Sequence, residues 1–135
     1  VLVFFTNSFS YTPVTKNLED APDPGEGKAY EKCILAFIQV EEADEEKDLK
    51  SREKKLVNHL KWVARKNNTT RIVLHSFAHI SFSKASPEFT KHVFDAAQTR
   101  LQNGNYETDQ TPFGYFLDLK LDAPGYSLAR IWAEL

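Results

Sequence analysis

The 135-residue sequence has one cysteine, five glycines and six prolines, and no apolar run near the roughly 18 residues that a membrane-spanning helix needs. No membrane partner is therefore expected. A lone Cys33 cannot close an internal disulfide, and no basic, apolar and small-residue succession resembling a signal peptide opens the chain. Both point to a reducing, cytoplasmic compartment. Charge of one sign is lacking too: 17 Lys and Arg face 19 Asp and Glu, a net charge of -2 that gives no global attraction to a phosphate backbone. A nucleic acid would have to be gripped locally. There is no P-loop, no G-x-G-x-x-G, no G-x-S-x-G elbow and no C-x-x-C, so nucleotide-phosphate cradles and dithiol redox chemistry are not expected.

What is present is ample material for one core. Ten Phe, five Tyr and two Trp supply far more buriable surface than a disordered chain carries. A chain of this length buries roughly two-thirds of its extended surface, so residues 1–135 read as a single domain. Val1 to Phe5 is a continuous apolar run suited to a buried central strand, and the natural chain is expected to extend before it. Phe9 to Val14 alternates as a half-buried strand that Pro13 places at an edge or ends. Residues 15–29, with Pro22, Pro24, Gly25 and Gly27 among charges, read as a long surface loop.

Cys33 to Val40 reads as a further strand, followed by six carboxylates between Glu41 and Asp48. Leu56, Val57, Leu60, Val63 and Ala64 recur at helical spacing, and Asn67-Asn68 closes that helix. Arg71 to His75 reads as a short buried strand. Ser86 as N-cap, Pro87 at the first helical position and Phe89, Val93, Ala97 and Leu101 on one face predict a second helix, with Gly104 as its left-handed terminator. Tyr115, Leu117, Leu119 and Leu121 alternate as a strand, and Leu128, Ile131, Trp132 and Leu135 fit a short C-terminal helix. The predicted order β, β, β, α, β, α, β, α is that of a mixed α/β domain without repeats.

Most chemistry-bearing groups have plain readings. Cys33 in a buried strand behaves as a small hydrophobe. His75 and His79 straddle a strand end, where four-residue spacing does not bring two imidazoles to one metal, and no metal is expected. The Glu41–Asp48 run lacks the glycine and alternating ligands of a calcium loop. Seven Lys and Arg between Lys50 and Lys66 against Glu53 read first as a solvated helix face. Local structure accounts less well for two motifs. Phe77-Ala78-His79 sits where a buried strand surfaces, and Thr111-Pro112-Phe113-Gly114-Tyr115 interrupts the approach to a strand, with Gly114 open to close backbone approach or to a simple bend.

Val1-Leu2-Val3, Phe37-Ile38-Gln39-Val40-Glu41, Phe77-Ala78-His79-Ile80-Ser81 and Pro112-Phe113-Gly114-Tyr115, followed by Gly125 and Leu128-Ala129, together resemble the archaeal editing domain of threonyl-tRNA synthetase. The resemblance implies an α/β fold of the D-aminoacyl-tRNA deacylase type, with a mixed sheet and packed helices, freestanding or excised from a synthetase. It implies hydrolysis, in trans, of serine mischarged onto threonine tRNA, without cofactor. Its implied partners are the aminoacyl-tRNA 3′ end, a threonyl-tRNA synthetase and a second copy in a homodimer, the apolar Phe113–Leu121 strand fitting such an interface. His79 and Tyr115 are the implied catalytic groups. Phe77, Ala78, Pro112, Phe113, Gly114, Phe116, Leu117, Arg130 and Glu41 are the implied substrate-binding ones. The chain departs from the family at Phe116-Leu117, where Tyr-Lys is usual, at Arg130 in place of a glutamate and at Phe5 in place of a histidine. These departures keep open a catalytically inactive tRNA- or protein-binding module, and a D-aminoacyl-tRNA deacylase.

Overall fold

The computed structural model describes residues 1–46, 48–77 and 83–135. Ten elements follow in the order β1 (Leu2–Lys16), β2 (Lys28–Ile38), a 3-10 turn (Glu42–Glu46), α1 (Leu49–Lys66), β3 (Arg71–Ser76), α2 (Pro87–Asn103), β4 (Glu107–Gln110), β5 (Tyr115–Asp122), a second 3-10 turn (Ser127–Ala129) and β6 (Arg130–Trp132). The sheet runs β4-β3-β2-β1-β5, with β6 added beside the start of β1. β2, β3 and β4 are parallel, while β1 is antiparallel to β2, β5 and β6. The expected mixed α/β class is the one observed.

Alternation along β2 divides the core in two. Ile34, Ala36 and Ile38 face α1 and α2 and join Leu56, Val57, Leu60, Val63, Phe94, Ala97 and Leu101 in the larger cluster. Cys33, Leu35 and Phe37 face the opposite side with Phe9, Tyr11 and Val73. Burying that second face takes the unusual length of β1. The pairs Asn7-Ser8 and Glu31-Lys32 are exposed on adjacent strands, Lys32 has a positive φ of 50°, and beyond them the inward face resumes at Phe9 and Tyr30. Such an irregularity bends a strand pair. The far half of β1, joined by β5, folds over the sheet so that Leu117 and Leu119 pack on the second cluster.

Both helices start as their sequences dictate. The Asp48 carboxylate accepts from Lys50 N–H at the head of α1, and the Ser86 hydroxyl accepts from Phe89 N–H at the head of α2, with Pro87 at its first position. Four expectations need correction. Residues 1–5 and 9–14 form one strand, because β1 pairs through both segments. Pro13 is tolerated because β1 pairs with β2 only as far as Tyr11, leaving Pro13 opposite Leu117 alone, next to a bulge. Gly104 has a negative φ of -88°; Asn105, at φ 69°, takes the left-handed turn. The C-terminal segment is no helix: Arg130, Ile131 and Trp132 pair with Phe4, Val3 and Leu2, placing Ile131 on the core while Trp132 stays 60% exposed. Lastly, residues 105–110, to which the sequence reading gives no element, contain β4, whose Thr108 carbonyl is held by Gln98 and Gln102 of α2. Among the described residues no helix is long and apolar enough to cross a membrane.

Candidate functional site

A cavity of about 310 Å³ opens where β2 and β3 end. Ligands of open α/β sheets gather at the carboxyl ends of strands, and here three further segments enclose the space. The head of α2 brings Pro87 and Thr90, the β4–β5 connection brings Thr111 to Tyr115, and the chain leaving β1 brings Asn17 and Leu18. The folded-over β5 closes the last side with Phe116, Leu117 and Leu119. The size lies at the lower end of the range for small-molecule sites. A second cavity, about 270 Å³, lies at the opposite end of the parallel strands, between Tyr30, Arg71, Gln102, Glu107 and Asp109. Its charged groups already pair with one another, Arg71 with Glu107 at 3.1 Å and the Tyr30 hydroxyl with Asp109 at 2.9 Å.

Gly114 shows why the β4–β5 connection needs its glycine. Its φ is +90°, and a Cβ there would lie 2.8 Å from the Ala21 Cβ and 3.2 Å from the Leu18 Cβ. Its carbonyl accepts from Asn17 N–H at 2.7 Å and Leu18 N–H at 3.1 Å. The close approach that the sequence leaves open is therefore made by the chain's own 17–22 segment. The Tyr115 hydroxyl reinforces it, donating to the Pro22 carbonyl at 2.7 Å. Gly114→Ala is expected to cost about 1–3 kcal/mol through backbone strain and the clash with Ala21, read as a lowered urea midpoint. An unchanged midpoint would contradict this packing.

The wall is mostly apolar. Leu117 and Leu119 turn inward from β5, Phe113 rests against Phe94 of α2 at 6.4 Å between rings, and Phe116 stands 55% exposed at the mouth. Phe77 follows β3, its ring edge-on to Phe37 at 5.4 Å. Pro112, half-buried, completes the turn. One buried polar pair interrupts this wall: His75 Nδ1 lies 2.8 Å from Thr111 Oγ1. The Gln39 side-chain amide, also lining, donates to the Ser83 carbonyl at 2.6 Å.

Burial pushes the His75 imidazolium down, to a pKa of about 4 from 6.5. Between those values the unfolded chain binds a proton that the folded one refuses, so stability rises with pH there. The contribution is complete above pH 6.5 and is lost as pH falls through 4, on the order of 3 kcal/mol in all. Urea titrations of the natural protein and His75→Phe between pH 4 and 7 are expected to show this slope only in the former. Equal slopes would contradict a buried neutral imidazole.

Of the residues expected at the site, Phe77, Pro112, Phe113, Gly114, Tyr115, Phe116 and Leu117 line the one cavity. Ala78 and His79 lie outside the described residues. Glu41 and Arg130 are not among the lining residues. Glu41 leads into the acidic turn, its N–H donating to the Asp44 carboxylate at 2.9 Å. Arg130 sits on β6, its guanidinium 5.9 Å above the Phe4 ring and 3.3 Å from the Pro124 carbonyl. Phe5 packs against the helix-side cluster and is not among the lining residues. Sequence reasoning weighed His75 only as half of a metal pair, named Thr111 without giving it a role, and read the 17–22 segment as part of a surface loop. The signal was faint: a histidine at the last buried position of a strand is a polar group that burial obliges to find a partner. Cys33 is fully buried, and burial pushes its thiol up, in keeping with a packing role. Among the described residues no group of three His, Cys, Asp or Glu gathers as a metal site.

Residues 1–135 match the family model described as the Archaea-specific editing domain of threonyl-tRNA synthetase. The threonine–tRNA ligase of Methanopyrus kandleri is 32% identical over 124 residues, covering 92% of this chain and 20% of that protein. Those of Methanosarcina barkeri and Thermococcus kodakarensis are each 31% identical, over 89% and 86% of this chain. The chain thus spans about a fifth of the length of these relatives. Among solved structures, the c-Myc DNA Unwinding Element Binding Protein superposes with a TM-score of 0.60 at 12% identity, over 90% of this chain and 89% of that one. That likeness concerns the fold alone, a mixed α/β sheet with packed helices. With the whole chain matched, the protein belongs to the family of archaeal threonyl-tRNA synthetase editing domains.

Proposed function

We propose that the cavity receives the 3′ aminoacyl end of a tRNA and that the domain, acting in trans, hydrolyses the ester of serine mischarged onto threonine tRNA. The observation that carries this reading is the convergence of Phe77 and Pro112 to Leu117, segments far apart in sequence, on one small cavity at the strand ends. Serine lacks only one methyl group of threonine, and a methyl is worth roughly 1–3 kcal/mol in a synthetic site, so a second, smaller sieve serves fidelity. In hydrolysis, water adds to the ester carbonyl, the bond from that carbon to the ribose oxygen breaks, and the proton passes to the ribose oxygen. Serine and an uncharged tRNA leave.

In this reading the Tyr115 ring offers a stacking platform beside the terminal adenosine while its hydroxyl secures the 17–22 segment. Gly114 shapes the cavity. Phe116, exposed at the mouth, meets the tRNA end before the aminoacyl group enters. A threonyl-tRNA synthetase is the partner whose errors are corrected, and the cytoplasm is where they meet. Two copies pairing along β5, the outer strand of the sheet, belong to the same proposal.

The test is the release of serine and of threonine from threonine tRNA by the purified protein. Serine release at least tenfold faster than threonine release supports the proposal; equal rates, or none, overturn it. One observation favours a second reading. Leu117 packs its side chain into the apolar cluster and brings no charge to the cavity, as a binding module without turnover would allow. That module would bind charged tRNA tightly and leave both esters intact. Comparing D- and L-serine on the same tRNA separates the deacylase of D-aminoacyl esters.

A further inference from the structure

The cavity wall is apolar over most of its extent, yet β3 ends by placing an imidazole in it. Resting on the reading that the cavity takes an aminoacyl end, we propose that His75 is the residue that selects a hydroxyl-bearing side chain, its imidazole hydrogen-bonding the hydroxyl of the bound amino acid so that serine is held and alanine is not.

The ring is held by three neighbours. Its Nδ1 is fixed 2.8 Å from Thr111 Oγ1, and Phe37 stands edge-on to it at 5.3 Å, with Phe77 tilted at 6.4 Å. His75 is only 8% exposed and lines the cavity, so its second ring nitrogen is the polar atom it has left to offer a ligand. Either tautomer serves. If the Thr111 hydroxyl donates to Nδ1, Nε2–H donates to the ligand oxygen; if Nδ1–H donates to Thr111, Nε2 accepts the ligand's hydroxyl proton.

The imidazole is not needed to tie β3 to the β4–β5 connection, since Thr111 N–H already donates to the Leu74 carbonyl at 2.9 Å. Leu117, Leu119, Phe113, Ile38 and Val40 give a hydroxyl no partner, while Gln39, Ser76, Lys84 and Thr90 are further polar side chains that share the lining with His75 and Thr111. Burial keeps the ring uncharged near neutral pH, so it does not repel the ammonium group that an aminoacyl ester carries. A site built to bond a hydroxyl rejects the analogue lacking it strongly, because its own polar group is then left unpaired.

Binding, read without turnover, tests this. The probes are 3′-amino-3′-deoxyadenosine acylated through the amide with serine or with alanine, titrated by calorimetry into the natural protein, His75→Phe and His75→Gln. The natural protein is expected to bind the seryl amide at least tenfold more tightly than the alanyl one. In His75→Phe the ratio is expected to fall below about twofold, and in His75→Gln, whose amide still donates and accepts, to recover to about threefold or more. Should His75→Phe fail to show a cooperative thermal transition, Thr111→Val, which releases the ring from its partner, is expected to lower the ratio instead. Equal affinities in the natural protein, binding of neither probe, or a ratio unchanged by these substitutions overturns the proposal. Serine-selective binding without hydrolysis would end the deacylase reading and leave this one standing; hydrolysis with an unchanged ratio in His75→Phe would do the reverse.

Discussion

Truncating Phe94 to alanine is expected to remove about 3–5 kcal/mol of folding stability, a large part of what a domain of this size has. Phe94 is 1% exposed on the inner face of α2, within the cluster that joins both helices to the sheet. It also carries Phe113, so the cavity that its ring leaves adjoins the site. A fall in melting temperature on the order of 10–20 °C is expected, together with weaker binding of aminoacyl-adenosine amides. A loss below about 1 kcal/mol in urea titrations would show that α2 is not anchored as described.

Leu117→Lys has the largest expected effect on chemistry. Leu117 turns inward from β5, lines the cavity and is only partly buried, so a lysine there can lay its methylene stem along Leu119 and reach the cavity with its ammonium. A fixed positive charge near an ester carbonyl stabilises the oxyanion that forms as water adds, an effect worth about 10²–10³ in rate where one such donor is removed from known sites. Hydrolysis of seryl-tRNA(Thr) is expected to rise about a hundredfold over the natural protein, at some expense in stability. An unchanged rate in a folded Leu117→Lys protein would contradict the assignment of β5 as the wall facing the reacting group.

How far the structure could be read from the sequence depended on where the information is stored. The helices were legible because their signals are local: Ser86 caps and Pro87 opens α2, and the apolar spacing of Leu56 to Ala64 marks the buried face of α1. The motifs Phe77 and Pro112 to Tyr115 were legible as candidates because strand ends and Pro-Gly interruptions are local too. β4 was not, since Glu107-Thr108-Asp109-Gln110 has no apolar period and is held by its ladder to β3 and by glutamines from α2. Nor was β6, because Leu128, Ile131 and Trp132 fit helical spacing until the start of β1 offers three residues to pair with. The folding of β5 over the sheet was beyond reach for the same reason. It depends on an irregularity shared by two strands, and through it Leu117 and His75 come to line the same cavity.

That shared cavity is tested most directly by finding where an aminoacyl end lies. Seryl-3′-amino-3′-deoxyadenosine titrated into isotopically labelled protein is expected to shift the amide resonances of His75, Thr111, Gly114, Tyr115 and Leu117 together. The Tyr30, Arg71 and Asp109 end of the sheet should stay unmoved. Shifts confined to that second cavity, or spread over the outer face of α1, would place the ligand elsewhere and contradict the site described.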